Sequence, residues 1–274
     1  MDLPLMLRFS REIWMPSATH SIDTASKGQF SKVPQVTFVF WFIKILCTTL
    51  GETGGDAVTM SMNLGYLVGT AIFAAIFLVA VVAQIKAKQF HPFFYWITII
   101  ATTTVGTTMA DFADRSLGIG YTGGSLTLLV LLMASLGVWY WSQGSISVNT
   151  VSTPKVEAFY WMTIMFSQTL GTALGDWTAD SAGLGYVGAA IIFGSLLVLV
   201  AAGHFWTPIS KTALFWAAFI LTRPLGAVVG DFLDKPLAEG GLNLSRYSAS
   251  GALVVLVIAC ILIFPQRPGQ HPER

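Results

Sequence analysis

The sequence is poor in charge. Only 11% of its 274 residues are Asp, Glu, Lys or Arg, whereas 54% are hydrophobic. Soluble domains carry about 25% charged residues, so this chain has too few to cover a surface that faces water. The net charge of +1 gives no field that would attract nucleic acid. We therefore expect the lipid bilayer, rather than water or nucleic acid, to surround most of the chain.

Cysteine and histidine are also scarce. Cys47 and Cys260 lie in separate apolar runs, so they give neither a disulfide framework nor the spacing of a metal site. The four histidines lie in the tails or near the ends of apolar segments. The chain has no Walker loop, no dinucleotide fingerprint and no His-x-x-x-His pair. These absences argue against an enzyme, and we expect no catalytic residues and no cofactor.

Eight segments are long and apolar enough to be transmembrane helices, which need about 20 mostly apolar residues each. Four of them are almost continuously apolar: 64–85, 117–142, 182–203 and 247–264. The other four alternate with these and carry Thr, Gly and a terminal Asp: 36–57, 92–111, 157–176 and 212–231.

Basic residues are distributed unevenly between the two sides of these segments. Ten Lys and Arg residues lie in the two tails and in the links that follow the second, fourth and sixth segments. Three lie on the opposite side. Because basic loops stay in the cytosol, the sequence predicts an inner (plasma) membrane protein that crosses the membrane several times and has both termini cytosolic.

The chain repeats itself four times. Each copy has an aromatic residue followed by Trp, a Gly ten residues after the Trp, an Asp five residues later and a Gly nine residues further on. In chain order the anchors are Trp41, Trp96, Trp161 and Trp216; Gly51, Gly106, Gly171 and Gly226; Asp56, Asp111, Asp176 and Asp231; and Gly65, Gly120, Gly185 and Gly240. Identical spacing in all copies indicates tandem repeats of one two-helix unit.

The repeats predict the domain organisation. It consists of a cytosolic tail (1–35), four repeats (36–90, 91–150, 151–210 and 211–266) and a second cytosolic tail (267–274). Because each unit crosses the membrane twice, all four point the same way. We expect an all-α membrane protein with eight transmembrane helices, arranged as four parallel two-helix repeats with pseudo-fourfold or pseudo-twofold symmetry about the membrane normal. The four units form either a bundle on their own or half of a homodimer.

These motifs resemble a bacterial family of membrane-anchored proteins built from four tandem copies of a two-transmembrane repeat of unknown function, with one characteristic Trp per repeat. The resemblance covers roughly residues 36–264 and rests on the four Trp residues and the four Gly-x3-(Gly/Ala)-Asp elements. It implies this fold and a membrane location, and it brings no established activity.

The positions four and eight residues before each repeat Asp lie on one helix face with it. Both positions are polar in the first three copies, and only the earlier one is polar in the fourth. The four stripes are Thr48, Glu52 and Asp56; Thr103, Thr107 and Asp111; Gln168, Thr172 and Asp176; and Arg223, Ala227 and Asp231. Ionisable residues within a membrane usually face the bundle interior and mark ion pathways. Oxygen ligands suit hard cations such as Mg²⁺, Mn²⁺ or Ca²⁺. The predicted metal ligands are Glu52, Asp56, Asp111, Asp176 and Asp231. The predicted pathway or tuning residues are Thr48, Thr103, Thr107, Gln168, Thr172 and Arg223.

Other interpretations of these residues remain open. Each repeat Asp stands near the end of its helix and could cap the next one. Arg223 is expected to pair with Glu52 or Asp56 of another repeat, and a neutral cluster of this kind would need no bound cation. Lys44 could extend its ammonium group towards the cytosolic end of its helix.

The sequence favours a transporter or channel for a cation, with a divalent metal ahead of a proton or a monovalent ion. One alternative is a carrier for a small organic or anionic solute, anchored by Arg223. A second alternative is a non-transporting membrane scaffold or sensory partner, which predicts a closed, packed axis in which the four Asp residues serve as helix caps.

Overall fold

The computed structural model of the chain describes residues 30–270. Eight long helices lie within this range: α1 (Phe38–Asp56), α2 (Gly65–Lys86), α3 (Pro92–Asp111), α4 (Gly120–Gln143), α5 (Pro154–Asp176), α6 (Gly185–Trp206), α7 (Lys211–Asp234) and α8 (Arg246–Ile263). Two short strands, β1 (Phe30–Pro34) and β2 (Pro268–Gln270), pair antiparallel. The all-α fold predicted from the repeats is confirmed.

The turn between the two helices of a unit is set by the repeat itself. In the first three units the first helix continues into a five-residue π-helical segment: Ala57–Ser61, Phe112–Ser116 and Trp177–Ser181. The second helix then begins at a repeat glycine with a positive φ, which is 75° at Gly65 and 76° at Gly120. Only glycine adopts this conformation without a steric penalty, so the repeat glycine fixes where the second helix begins in these three units. In the fourth unit the second helix begins later, at Arg246.

The first helices of the four units, α1, α3, α5 and α7, are the inner helices. They contact one another in a closed ring, α1 to α3, α3 to α5, α5 to α7 and α7 to α1. The second helices are the outer helices, and each packs on the inner helix of the following unit: α2 on α3, α4 on α5, α6 on α7 and α8 on α1. Each unit therefore completes its packing with its neighbour, as expected of a repeat that cannot bury its apolar face alone.

Outer and inner helices differ sharply in burial. The most apolar stretch of α2 is 6% buried, whereas that of α3 is 72% buried. Large apolar side chains such as Leu67, Val79 and Leu199 are more than half exposed. An apolar surface of this extent is suited to lipid. Among residues 30–270, six helices (α2, α3, α4, α6, α7 and α8) are long and apolar enough to cross a membrane.

The two remaining helices, α1 and α5, fall short of this measure because of their buried polar residues. Helix α1 carries Lys44 and Glu52, and α5 carries Gln168. These side chains face other helices rather than lipid, so they lower the hydropathy of the helix without exposing polar groups to the bilayer. Six of the eight predicted crossings are thus supported by composition, and α1 and α5 belong to the same ring as α3 and α7.

The inner ring has two ends, which we name after their repeat residues. The Trp end carries the aromatic residue and Trp of each unit, and the Asp end carries the repeat Asp. At the Trp end the four repeat aromatics, Phe40, Tyr95, Tyr160 and Phe215, are buried. The hydroxyl groups of Tyr95 and Tyr160 are hydrogen-bonded at 2.7 Å, and the ring centroids of Phe40 and Tyr95 lie 6.3 Å apart. These side chains form a contiguous layer across the inner helices.

Strands β1 and β2 lie against the Trp end. Residues 31–34 are buried, and the Lys32 ammonium lies 2.6 Å from the fully buried carboxylate of Glu157 on α5. Residues 30–34 were assigned to the N-terminal tail by the sequence, but they pack on the bundle. The rest of that tail, 1–29, and residues 271–274 of the second tail lie outside the described residues.

Candidate functional site

The repeat glycines of the inner helices receive polar side chains from the neighbouring helix. Each lies against the residue that stands eight positions before the Asp of the next inner helix: Gly51 against Thr103, Gly106 against Gln168, Gly171 against Arg223 and Gly226 against Thr48. All four polar residues are fully buried. Small residues let helix backbones approach closely, and here the space left by the missing Cβ is filled by a polar side chain.

Glu52 and Arg223 form a buried ion pair at this depth. The Arg223 Nη2 lies 2.8 Å from the Glu52 Oε2 and donates to the Thr107 hydroxyl at 2.6 Å. It also donates to the hydroxyl of Thr172. The pairing of Arg223 with an acid from another repeat is therefore confirmed. One guanidinium group joins all four repeats, since α1, α3 and α5 each supply an acceptor to a side chain of α7.

Several polar atoms at this depth remain without partners. The Nε and Nη1 of Arg223, both amide atoms of Gln168 and the hydroxyl of Thr103 have no hydrogen-bond partner within residues 30–270. Buried polar groups are normally paired, with protein or with water. The interior of the inner ring therefore retains hydrogen-bonding capacity for water or a polar solute.

Lys44 lies nearer the Trp end and is also fully buried. Its ammonium donates to the Thr222 hydroxyl at 2.7 Å and to the Phe219 carbonyl at 3.2 Å. It also lies 3.8 Å from the centroid of the Phe219 ring. The prediction that Lys44 extends towards the helix end is wrong, because its side chain points at α7 and finds its acceptors there.

The four repeat Asp residues form two bridged pairs at the Asp end. Arg115 Nε lies 3.0 Å from Asp111, and Arg115 Nη2 lies 3.4 Å from Asp176. Lys235 Nζ lies 2.7 Å from Asp56 and 3.1 Å from Asp231. Each bridging cation stands four residues after the repeat Asp of its own unit and also contacts the repeat Asp of the next unit. Arg115 thus joins the second unit to the third, and Lys235 joins the fourth unit to the first.

A third carboxylate joins the second of these pairs. Asp234 accepts from Arg246 Nε at 3.1 Å, and the same nitrogen lies 3.8 Å from Asp56. Ligand oxygens of Asp56, Asp231 and Asp234 all lie within 4.8 Å of one another. Asp234 was not among the predicted ligands, although it follows Asp231 by three residues and so occupies a neighbouring position on the same helix.

Among residues 30–270, carboxylates outnumber cations in this charge network. Five acids take part, namely Asp56, Asp111, Asp176, Asp231 and Asp234, and three cations, namely Arg115, Lys235 and Arg246. None of the five acids is more than 6% exposed. Burial lowers the pKa of Lys235, whereas the carboxylates of Asp231 and Asp56 raise it, and the net shift is upward. With every group ionised, the network carries two unbalanced negative charges.

The capping interpretation of the repeat Asp residues is wrong. The N-cap positions of the outer helices are held by Leu64, Ile119, Leu184 and Ser245. Nor does Asp56, Asp111 or Asp176 make a side-chain cap bond, within residues 30–270, to the π-helical segment that follows it. The Asp side chains instead contact cations of their own and neighbouring repeats.

An open cavity of about 750 Å³ gives access to this network from the Asp end. We call it the vestibule. All three cations of the network, Arg115, Lys235 and Arg246, line it, together with Tyr121 and Tyr186. The ion pairs at the Asp end are therefore reached from outside the bundle.

The structure thus divides the predicted site between two levels. Glu52 lies with Thr107, Thr172 and Arg223 inside the ring, whereas the four Asp residues lie at its mouth. Thr48 donates to backbone carbonyls, at 2.8 Å to that of Ile45. Metal binding by the five predicted acids stays a prediction.

Repeated two-helix units, lipid-facing outer helices and a polar interior together define a multi-pass α-helical membrane protein. Segments 39–90, 94–145, 159–210 and 214–266 each match the family described as Repeat of Unknown Function (DUF347), and the chain belongs to this family. No curated protein and no solved structure matches it.

Proposed function

We propose that the protein transports a cation across the inner membrane. The observation that supports this most directly is the charge network at the Asp end, where five buried carboxylates share three cations. Unbalanced buried charge is costly. Two excess negative charges equal the charge of one divalent cation or of two protons. A divalent metal is favoured because carboxylate oxygens are the ligands that hard cations prefer.

The pathway runs along the interior of the inner ring. All eight helices cross the membrane in this proposal, with the inner helices in a pseudo-fourfold arrangement and the bridging cations in a pseudo-twofold one. The Trp end faces the cytosol, as do both termini, because Lys and Arg accumulate on that side of the apolar segments. The vestibule then opens to the outside, and Glu52 and Arg223 lie on the route inwards.

The two ends suggest a carrier that alternates between states. The vestibule leaves the Asp end open, whereas the layer of Phe40, Tyr95, Tyr160 and Phe215 fills the Trp end. Passage to the cytosol would require this aromatic layer to separate. Parallel repeats that move against one another are a known architecture for alternating access.

A small anionic solute is the second candidate, and one observation favours it. Three basic residues, Arg115, Lys235 and Arg246, line the vestibule. Arg223 is a weaker anchor than the sequence suggested, because Glu52 already neutralises it at 2.8 Å. The scaffold without transport is disfavoured, because its prediction of capping Asp residues is not met.

The experiment that tests the proposal is flux into proteoliposomes across a panel of divalent and monovalent cations. Wild-type protein is compared with Glu52→Gln and Asp56→Asn. Glu239→Gln is the matched control, because Glu239 is an exposed acid of the vestibule. We expect cation flux in the wild type and the control, and its loss in both test variants when they are folded in the vesicles.

Absence of flux for every cation, with folded protein in the vesicles, would contradict the proposal. Flux of an organic or inorganic anion in the same vesicles would then support the second candidate. Flux that survives both substitutions would show that these acids are not on the pathway.

A further inference from the structure

Lys235 bridges two members of a three-carboxylate group. Its ammonium lies 2.7 Å from Asp56 Oδ2 and 3.1 Å from Asp231 Oδ1. Asp234 completes the group, whose ligand oxygens lie within 4.8 Å of one another. A lysine ammonium is a compact point charge. The protein thus already holds a cation at this place, supplied by its own chain.

The spacing of the three oxygens suits a metal ion. Calcium ligands lie about 2.3–2.6 Å from the ion, so two ligands on opposite sides of it are up to about 5 Å apart. A separation of 4.8 Å at most lies within that limit. The three side chains therefore reach one ion without a large rearrangement of the helix ends.

Asp234 provides an independent indication of a missing ligand. Its Oδ2 accepts from Arg246, but its Oδ1 is buried and has no hydrogen-bond partner within residues 30–270. Asp234 is only 6% exposed. A buried carboxylate oxygen of this kind is normally satisfied by a donor, by water or by a metal.

We infer that Asp56, Asp231 and Asp234 form a binding site for a hard divalent cation, and that Lys235 is a tethered competitor that occupies the site until the ion arrives. This inference rests on the proposed function and names its substrate class and its site. Charge supports the exchange, because three carboxylates against Lys235 and Arg246 leave one negative charge. A divalent ion in place of Lys235 leaves none.

Lys235 has a route out of the site. It follows the last residue of α7 and precedes Pro236, so it lies on the turn rather than within a helix. Both residues line the vestibule, as does the exposed carboxylate of Glu239. A four-carbon side chain anchored there can leave the carboxylates for the vestibule while the helices keep their places.

The second unit offers a matched control within the same chain. Arg115 stands at the position equivalent to Lys235 and bridges Asp111 and Asp176. The equivalent of Asp234 is Asp114, which packs against Gly124 on α4. Within residues 30–270, the bridged pair of the second and third units has no third carboxylate close enough to complete such a group.

The test is Mn²⁺ binding to the purified full chain in detergent, followed by the EPR signal of free Mn²⁺. Lys235→Met is expected to bind Mn²⁺ at least about tenfold more tightly than wild type, because the competitor is gone. Adding Asp234→Asn to that variant should abolish the gain. Arg115→Met and the charge-preserving Lys235→Arg should show no gain.

Folding of each variant is checked by size exclusion and thermal unfolding. If Lys235→Met does not fold, Lys235→Gln replaces it, and the same tightening of Mn²⁺ binding is expected. Two results overturn the inference: no tightening in a folded Lys235→Met or Lys235→Gln variant, or a tightening that persists with Asp234→Asn.

Flux separates this inference from the proposed function. Tight binding that depends on Asp234, without any Mn²⁺ flux, would support the site and contradict transport. Mn²⁺ flux in the wild type, with binding indifferent to Lys235 and Asp234, would contradict the site and leave transport intact.

Discussion

The two ends of the inner ring are built by the same four helices but with opposite chemistry. At the Trp end, the repeat aromatics form a buried layer, and the hydroxyl groups of Tyr95 and Tyr160 are hydrogen-bonded at 2.7 Å. At the Asp end, buried carboxylates share too few cations, and these cations line a vestibule. The comparison shows how one repeated backbone seals one end of a bundle and leaves the other end charged and accessible.

The glycine contacts and the bridging cations differ in how many of the four units carry them. The contact between a repeat glycine and a polar side chain occurs in all four copies. The bridging cation occurs in the second and fourth, as Arg115 and Lys235, whereas Met60 and Asp180 hold the equivalent positions in the first and third. Close helix packing therefore requires every copy to contribute the same residue, while one cation is sufficient for two neighbouring Asp residues.

The largest expected effect comes from the interior between the two ends. Glu52→Gln leaves Arg223 buried without its counter-charge, which costs about 3–5 kcal/mol when a buried pair is broken. We expect the free energy of unfolding, measured by denaturant titration in detergent, to fall by that amount. The double variant Glu52→Gln/Arg223→Met should recover most of the loss. A single variant as stable as wild type would contradict the buried pair.

Glycine packing should give the next largest effect. A Cβ on Gly226 would meet the Thr48 side chain and lie 2.9 Å from its backbone carbonyl carbon. Overpacking of this kind costs about 1–3 kcal/mol, so Gly226→Ala should lower the unfolding free energy in the same assay.

The matched control for this change is Gly137→Ala on the outer helix α4. Within the described part of the chain, nothing lies within 4 Å of a Cβ added at Gly137. The change there should be neutral or stabilising, by up to about 1 kcal/mol from helix propensity. Equal destabilisation at both glycines would break the distinction between inner and outer helices.

The Trp end should respond more weakly. Tyr95→Phe leaves the buried hydroxyl of Tyr160 without its partner, at a cost of about 1 kcal/mol. The double variant with Tyr160→Phe removes both hydroxyl groups and should recover stability, because no unpaired group remains. Thermal unfolding of the wild type and the two variants measures the difference, and a double variant less stable than Tyr95→Phe would count against the hydroxyl pair.

The smallest expected effect is the pH dependence of the stability that Lys235 contributes to the folded protein. The carboxylates of Asp231 and Asp56 hold the folded-state pKa of Lys235 above the ordinary value of a lysine. Its contribution to stability is therefore fully present below the unfolded pKa and is lost only as pH rises through the folded one. The stability difference between wild type and Lys235→Met should not shrink between about pH 7 and pH 9. A difference that shrinks over this range would show that Lys235 is not held by carboxylates.

Much of this architecture follows from spacing alone. The alternation of apolar and polar segments predicted the helices, and the repeat predicted their organisation into four two-helix units. The pairing of Arg223 with Glu52 was also predictable, because both lie deep in apolar segments and a buried charge needs a partner.

Other features depend on contacts that no local pattern encodes. Asp56 and Lys235 are 179 residues apart, and their meeting requires α7 to close the ring onto α1. Lys44 was expected to reach the helix end, but the acceptors on α7 are available to it only because these two helices are neighbours. Helix order around the ring is a tertiary property, and a period of four residues carries no information about it.

The central claim is that the Asp end admits a cation to the interior of the bundle. Its most direct test is Mn²⁺ uptake into proteoliposomes that contain equal amounts of wild type, Asp231→Asn or Gly137→Ala. We predict uptake by the wild type and the Gly137→Ala control, and its loss in a folded Asp231→Asn variant. Equal uptake by all three proteins, or by none of them, would contradict the claim.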